Sequence, residues 1–187
     1  VPLRISLEDA LGLMRSFLEE KSGGDRALAL AAALFESIGR SFKLYARVKR
    51  GRINTADAAA DQAADIECVD EKDALVMAVE VKDRLLSLSD IEGTLKKAKQ
   101  RAVSEIFFTA PGIEAGARDA VAERARRSFA SGLNLYVFDL IELARAVLAI
   151  GGEALRVMFL SEVGRHLDEW NTQPRHRQAW QKLLSQF

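Results

Sequence analysis

Apolar residues recur at helical spacing near the start of the chain, behind Ser6, which is a good N-cap. The break Ser22-Gly23-Gly24-Asp25 separates this helix from a second one, rich in Ala and Leu, over about 26–41. Apolar and polar residues then alternate over 42–49, which predicts a strand.

Residues 63–82 predict a β-hairpin that turns at Asp70-Glu71-Lys72-Asp73. The next helix is predicted over 89–102, with Ser89 and Glu92 as its capping box. Further along, the pattern predicts a strand at 105–109, a helix ending near 130, a strand at 133–138, and then helices broken at Gly151-Gly152 and Pro174.

This order, α-α-β-β-β-α-β-α-β and then helices, predicts an α/β fold. Three sequential strands can form a meander, and the later β-α-β unit needs parallel pairing with a crossover helix. We expect a mixed central sheet flanked by helices, with a helical C-terminal extension. The chain length fits one domain over 1–187, made of an N-terminal helix (1–25), a core (26–138) and the extension (139–187).

The hairpin concentrates charge on one face. With a two-residue loop, Asp65 lies opposite Ala78 and Glu80 opposite Ala63, so the two carboxylates are diagonal neighbours. Lys82 and Glu67 share their face because side chains alternate with period two. The other face is apolar and is expected to pack on a helix: Ile66, Cys68, Leu75, Met77, Val79 and Val81. A one-residue slip would bury charge, so hydrophobicity favours this register.

Two nearby carboxylates and a lysine suit hydrolysis of a phosphodiester. The carboxylates provide hard oxygen ligands for Mg²⁺, and the lysine can orient or help deprotonate a water molecule and stabilise the transition state. The alternative is a solvated strand face or a salt-bridge ladder. Glu80 follows the apolar run 75–79, which is typical of a central strand and favours a functional site.

The arrangement resembles the PD-(D/E)xK nuclease superfamily, whose core is a helix, a three-strand meander, a helix and a further strand. Asp65 matches the motif aspartate and Glu80-Val81-Lys82 the second half, while Ala64 stands in place of the motif proline. The wider runs 53–57, 64–68 and 78–84 are similar to the SacI-type restriction endonuclease family. The resemblance covers most of the chain from about Arg26 onward.

The resemblance implies Mg²⁺-dependent hydrolysis of DNA that leaves 5′-phosphate and 3′-hydroxyl ends. It implies that Asp65, Glu80 and Val81 bind the metal and that Lys82 assists the attacking water. An acidic residue of the first core helix completes the site in many members, and Glu36 is the candidate here. The alternative for Glu36 is an exposed helix glutamate.

A basic run surrounds the first predicted strand: Lys43, Arg47, Lys49, Arg50 and Arg52. These residues could hold DNA phosphates, or they could be a solvated strand edge protected from aggregation by its charges.

Four other groups of polar residues are candidates for function or for ordinary structural roles. Asn54 lies in a loop that could approach DNA or position Asp65, or could serve turn formation alone. Arg84 is a candidate phosphate contact. For most of Lys96, Lys97, Lys99 and Arg101 we expect ordinary solvation, and we expect His166 and His176 at a surface or interface.

Charge and cysteine content narrow the possibilities. The chain has 27 Lys plus Arg and 27 Asp plus Glu, so DNA binding has to depend on a local basic patch. One cysteine, Cys68, and two histidines exclude a disulfide within the chain and the usual Cys/His zinc site. The longest apolar stretch, 27–35, is too short for a membrane span, so we expect a cytoplasmic protein.

The favoured hypothesis is a DNA endonuclease, most simply a type II restriction enzyme or its cleavage domain, working as a homodimer on double-stranded DNA. The alternatives are a repair or junction-resolving nuclease and a non-catalytic DNA-binding domain with the same fold. Because the chain begins with Val, we also expect that a further N-terminal domain can precede it in a longer protein.

Overall fold

The computed structural model describes residues 1–50, 62–170 and 172–187. These residues form seven helices and five strands in the predicted order. The helices are α1 (Leu7–Glu19), α2 (Asp25–Phe42), α3 (Leu88–Gln100), α4 (Arg118–Ala130), α5 (Leu140–Ile150), α6 (Gly152–Glu169) and α7 (Pro174–Leu184). The strands are β1 (Arg47–Arg50), β2 (Ile66–Val69), β3 (Leu75–Val81), β4 (Glu105–Thr109) and β5 (Asn134–Phe138).

The five strands form one mixed sheet in the order β1-β2-β3-β4-β5. The first three strands pair antiparallel, as a meander, and β3, β4 and β5 pair parallel. The helices α3 and α4 are the crossovers that parallel pairing requires. A mixed α/β fold is therefore confirmed.

The ends of two elements differ from prediction. The strand expected over 42–49 begins only at Arg47, because α2 continues to Phe42 and ends at Lys43 in the left-handed conformation (φ 55°). The cap of α3 also differs: Ser87 and Asp90 form the capping box, not Ser89 and Glu92. The backbone N–H of Asp90 donates to Ser87 Oγ (3.2 Å), so the helix starts at Leu88.

The chain divides into two compact units. One is helical and contains Val1–Leu44 with Leu140–Phe187, and the other contains the sheet, Tyr45–Asp139. In the helical unit, α2 packs along α6, although the predicted core of 26–138 grouped α2 with the sheet. The predicted division into one domain with three segments stays a prediction. Among the described residues, no helix has both the length and the apolar character needed to cross a bilayer.

The expectation that both histidines lie at a surface is wrong. His166 and His176 are buried in the helical unit. Arg26 Nε donates to His176 Nδ1 (3.0 Å), and the ring of Trp180 packs edge-on against Phe17 at 5.1 Å. Burying an arginine costs the protein little stability when its N–H groups have hydrogen-bond partners. These hydrogen bonds explain how polar residues lie inside a helical core.

In the sheet unit, the core lies between the sheet and the two crossover helices. Ala78, Ile106 and Phe108 of the sheet belong to one buried cluster with Ile91 and Leu95 of α3. Burial of these side chains supplies the main driving force for placing α3 over β3 and β4.

Candidate active site

The three residues of the predicted site lie together in the sheet unit. Lys82 Nζ donates to Glu80 Oε1 (2.7 Å), and Asp65 Oδ2 accepts a hydrogen bond from the backbone N–H of Val81 (2.9 Å). Glu80 lies on β3, Lys82 follows the strand, and Asp65 immediately precedes β2. The structure therefore brings together the residues that the sequence placed on one hairpin face.

The predicted register of the hairpin is wrong by two residues. Ile66 pairs with Val79 and Glu67 with Ala78, so Asp65 does not lie opposite Ala78. Continued by one residue, the observed register brings Asp65 level with Glu80. Asp65 itself lies one residue before β2 and is not part of the ladder, but its Oδ2 accepts from the N–H of Val81, the residue after Glu80.

Two single-residue insertions explain the shift. The loop has three residues, because Asp70 N–H donates to the carbonyl of Ala74 (2.9 Å) and Asp73 takes the left-handed conformation (φ 65°). A bulge follows between Cys68 and Val69. Each insertion alone would exchange the two faces of β3 relative to β2, but together they restore the predicted faces from Met77 onward. Leu75 lies between the two insertions and packs against the cluster that contains Ala78, so its predicted place on the other face is wrong.

Glu80 is not a solvated surface residue. It is 7% exposed, and Ala78 on the same face packs in the cluster under α3. The opposite face is also buried at Ile66, Cys68 and Val79, as expected from its apolar residues. A carboxylate in such a strand needs charged or hydrogen-bonding partners, and Lys82 provides one.

The surroundings of Glu80 and Lys82 shift the pKa values of both side chains. Burial, and then the negative charge of Asp65, raises the pKa of Glu80 against the opposing effect of Lys82. Burial lowers the pKa of Lys82, but the hydrogen bond and charge of Glu80 and the charges of Asp65 and Asp90 outweigh it, so the pKa of Lys82 is raised. Lys82 is therefore a cation at neutral pH, and the two acids repel each other in the absence of a positive ion between them.

Sequence reasoning placed Glu67 on this face but gave it no role. Glu67 is buried, and its Oε1 accepts the backbone N–H of Ala63 at 2.9 Å. Arg101 Nη2 lies 3.6 Å from the same oxygen. Glu67 therefore holds the backbone turn that leads into Asp65, and the polar–apolar alternation of the strand was the only signal for it.

Glu36 lies in the helical unit and is buried, so it is not the exposed helix glutamate of the alternative interpretation. Its Oε1 accepts from Arg40 Nε (3.1 Å) and its Oε2 lies 3.5 Å from Arg165 Nη2. Glu162 pairs with the same two arginines at 2.8 and 2.6 Å. The four side chains form a closed ionic ring, defined here as Glu36, Arg40, Glu162 and Arg165.

The candidate DNA contacts of the first strand have different surroundings. Lys49 Nζ pairs with Asp73 Oδ1 (2.7 Å) and is partly exposed. Arg50 is buried. Arg52 and Asn54 lie outside the described residues. Lys49 therefore stands near solvent and is held by Asp73, and Arg47 is exposed and paired with the same carboxylate.

Arg84 is held in place by α3. Its Nη1 and Nη2 atoms donate to the two carboxylate oxygens of Asp90, each at 2.8 Å, and its side chain is 57% exposed. The guanidinium and the backbone of Ser87 hold the pKa of Asp90 well below its usual range. Such a bidentate pair orients the guanidinium and leaves other N–H groups for a further anion.

The donor set fits Mg²⁺ better than metals that need many protein ligands. Within the described ranges, no three His, Cys, Asp or Glu side chains are close enough to share an ion. Two carboxylates from Asp65 and Glu80 remain. Magnesium commonly uses one or two protein carboxylates and keeps several waters and a phosphate oxygen, so a pair of acids is an adequate donor set.

The sheet, the adjoining carboxylates and the lysine define a mixed α/β protein with an acidic site of the kind that nucleases use. A family model described as the SacI restriction endonuclease C-terminal domain matches residues 4–112. The chain belongs to this family, which indicates a nuclease. The match begins earlier than the resemblance expected from about residue 26, and it contains Asp65, Glu80 and Lys82. A search of curated proteins found none that matches.

Proposed function

We propose that this chain is a Mg²⁺-dependent endonuclease that hydrolyses phosphodiester bonds of DNA, as a type II restriction enzyme or its cleavage domain. The observation that carries the proposal is the buried carboxylate of Glu80, adjoining Asp65 and bonded to Lys82 at 2.7 Å. Placing the buried carboxylate of Glu80 next to Asp65 costs stability, and a bound cation would offset this cost. Membership of a restriction endonuclease family supports DNA as the substrate.

In the proposed reaction, Asp65, Glu80 and the main chain of Val81 would hold Mg²⁺. The ion would stabilise the negative charge that develops on the phosphoryl group. Lys82 orients a water molecule whose oxygen forms the new bond to phosphorus. As this bond forms, the water gives up a proton to the solvent and the P–O3′ bond breaks. The departing O3′ takes up a proton from the solvent, which leaves a 5′-phosphate and a 3′-hydroxyl.

Lys49 and Arg84 are proposed as phosphate contacts of the bound DNA. Each is partly exposed and is already held by a carboxylate, Asp73 and Asp90 respectively. Arg50, Arg52 and Asn54 remain proposed contacts, of which Arg50 would have to become accessible. A homodimer, an additional N-terminal domain and a PD-(D/E)xK core topology stay predictions.

Incubation with plasmid DNA tests the function directly. We expect cleavage in Mg²⁺ and complete loss of it when EDTA removes the metal, because the two acids then have no cation to hold. Gel electrophoresis of the products distinguishes the biology: discrete fragments indicate a restriction enzyme, and a smear indicates a less specific nuclease. Absence of cleavage in both Mg²⁺ and Mn²⁺ would leave only a non-catalytic DNA-binding domain.

Glu36 is proposed as an additional metal ligand on the family resemblance alone, and its carboxylate would have to leave the ionic ring to bind the ion. If it is a ligand, Glu36→Gln raises the Mg²⁺ concentration for half-maximal cleavage by about tenfold or more. Glu162→Gln is the matched control, since Glu162 belongs to the same ring but not to the proposed ligands. Equal Mg²⁺ midpoints for the two variants, with equal losses of Tm, would make Glu36 purely structural.

A further inference from the structure

The side chains of α3 point in three directions. Ile91, Leu95 and Ala98 face the buried cluster of the sheet unit. On a second side, Glu92 pairs with Arg124 of α4 (Nε to Oε1, 2.6 Å). The helix has a third side, which faces neither the buried cluster nor α4.

The third flank consists of Asp90, Thr94, Lys97 and Arg101, and we call it the site flank. Its members recur at intervals of three or four residues and so lie in one row along the helix. Arg101 at its end approaches Glu67 at 3.6 Å, and Asp90 at its start binds Arg84. The row therefore runs beside the acidic face of the hairpin.

Lys97 stands in the middle of this row and is exposed. It is near enough to Glu80 for its positive charge to favour the ionised carboxylate, and the charge of Asp90 reaches Lys82 in the same way. Arg101, which pairs with Glu67, is an exception to the ordinary solvation expected for most residues of this group, and Lys97 is exposed as expected. Lys96, one residue earlier, points away from the row and is also exposed, so it keeps the ordinary interpretation.

The charges around the site balance only while no metal is present. Three acids, Asp65, Glu67 and Glu80, face three cations, Lys82, Lys97 and Arg101. A divalent ion between Asp65 and Glu80 would leave an excess of positive charge at the site. Phosphate groups are the anions that DNA offers to such an excess, and they dominate the affinity of proteins for DNA.

We propose that the site flank of α3 binds phosphates of the DNA strand that is cut, through Lys97 and Arg101, next to the carboxylate pair. This inference rests on the proposed function, because it takes DNA as the ligand. In it, Lys97 provides a point charge for one phosphate. Arg101, which pairs with Glu67, adds its positive charge beside a second phosphate.

The test is binding of a fluorescein-labelled DNA duplex of mixed sequence, measured by anisotropy over a range of salt concentrations. Ca²⁺ replaces Mg²⁺, since it takes the same kind of oxygen ligands. We expect Lys97→Ala to weaken binding several-fold and to lower the slope of log K against log salt by about 0.9, the value for one lost phosphate contact on duplex DNA. Lys96→Ala should leave both quantities as in the wild type.

The two proposals fail in different ways. Equal affinities and salt slopes for Lys97→Ala, Lys96→Ala and the wild type would overturn the inference, even if the wild type cuts DNA. A selective effect of Lys97→Ala in a protein that cuts no DNA would support the phosphate site and overturn the nuclease proposal. Because Lys97 is exposed and outside the buried cluster, thermal unfolding should show that all three proteins fold equally well.

Discussion

Replacing Lys82 by alanine is expected to lower the rate of DNA cleavage by roughly 10²- to 10³-fold, the range for loss of one preorganised donor that stabilises developing charge. The raised pKa of Lys82 keeps it protonated beside Glu80, so in the resting protein it is a cation that can orient water and stabilise the developing charge. Binding of DNA should change little, since the substitution removes one half-buried cation and leaves the exposed basic residues. Single-turnover cleavage of a plasmid separates the two effects.

Lys72→Ala is the matched control for this substitution, because Lys72 is an exposed lysine in the turn of the same hairpin. It should cleave at the rate of the wild type. Lys82→Arg keeps the charge but has a different shape and does not deprotonate. Recovery of most of the rate in Lys82→Arg would support a purely electrostatic role, and wild-type activity in Lys82→Ala would remove Lys82 from the site.

Replacing Glu80 by glutamine is expected to abolish metal-dependent stabilisation and to stabilise the metal-free protein. At a Mg²⁺ concentration about 100 times its Kd, the wild type gains about 2.7 kcal/mol from binding, and the variant should gain little. In EDTA, where no metal is bound, the variant is expected to be more stable than the wild type. The pKa of Glu80 is raised even though Lys82 opposes the rise, so the folded protein favours the neutral carboxyl group and ionisation at neutral pH costs stability.

The pH dependence of this second prediction has a definite sign. A raised folded pKa provides stability below the ordinary value of 4.5, and this stability is lost as pH rises through the folded value. Glutamine stays neutral, so in EDTA Glu80→Gln should be the more stable protein near pH 7 and should unfold at a higher temperature. The advantage should vanish below pH 4.5. Glu71→Gln, in the exposed turn, should show no such difference in thermal unfolding scans.

An advantage of Glu80→Gln that persisted unchanged at acid pH would mean that packing, and not charge, causes it. Retention of the Mg²⁺-induced rise in Tm by Glu80→Gln would place the metal elsewhere. Together the two variants distinguish two roles. Glu80 is proposed to bind the metal, and Lys82 is proposed to assist the attacking water.

Local sequence patterns were enough to predict the order of the helices and strands and most of the residues on each face of the hairpin. Helical spacing marks α1, and its N-cap Ser6 accepts from Asp9 N–H as a capping residue should. Alternation over 63–82 assigns Asp65, Glu67, Glu80 and Lys82 to one face, and this assignment survives a shift of two residues because the period of a strand is two. The capping box of α3 was predicted at the wrong serine because Ser87 and Ser89 have the same intrinsic preference for the N-cap position. Only the conformation of the backbone determines which of them begins the helix.

The sequence by itself determined which residues of the hairpin could meet, and the tertiary structure decided how closely they meet and what surrounds them. The left-handed Asp73 and the bulge after Cys68 set the register, and neither has a strong local signal because Asp and Val are ordinary residues at those positions. Packing of α3 over Ala78 buries Glu80 and brings Lys97 close enough for its charge to act on that carboxylate. Burial and proximity arise from contacts between residues that are distant in the chain. They therefore cannot be predicted from the periodicity of the sequence.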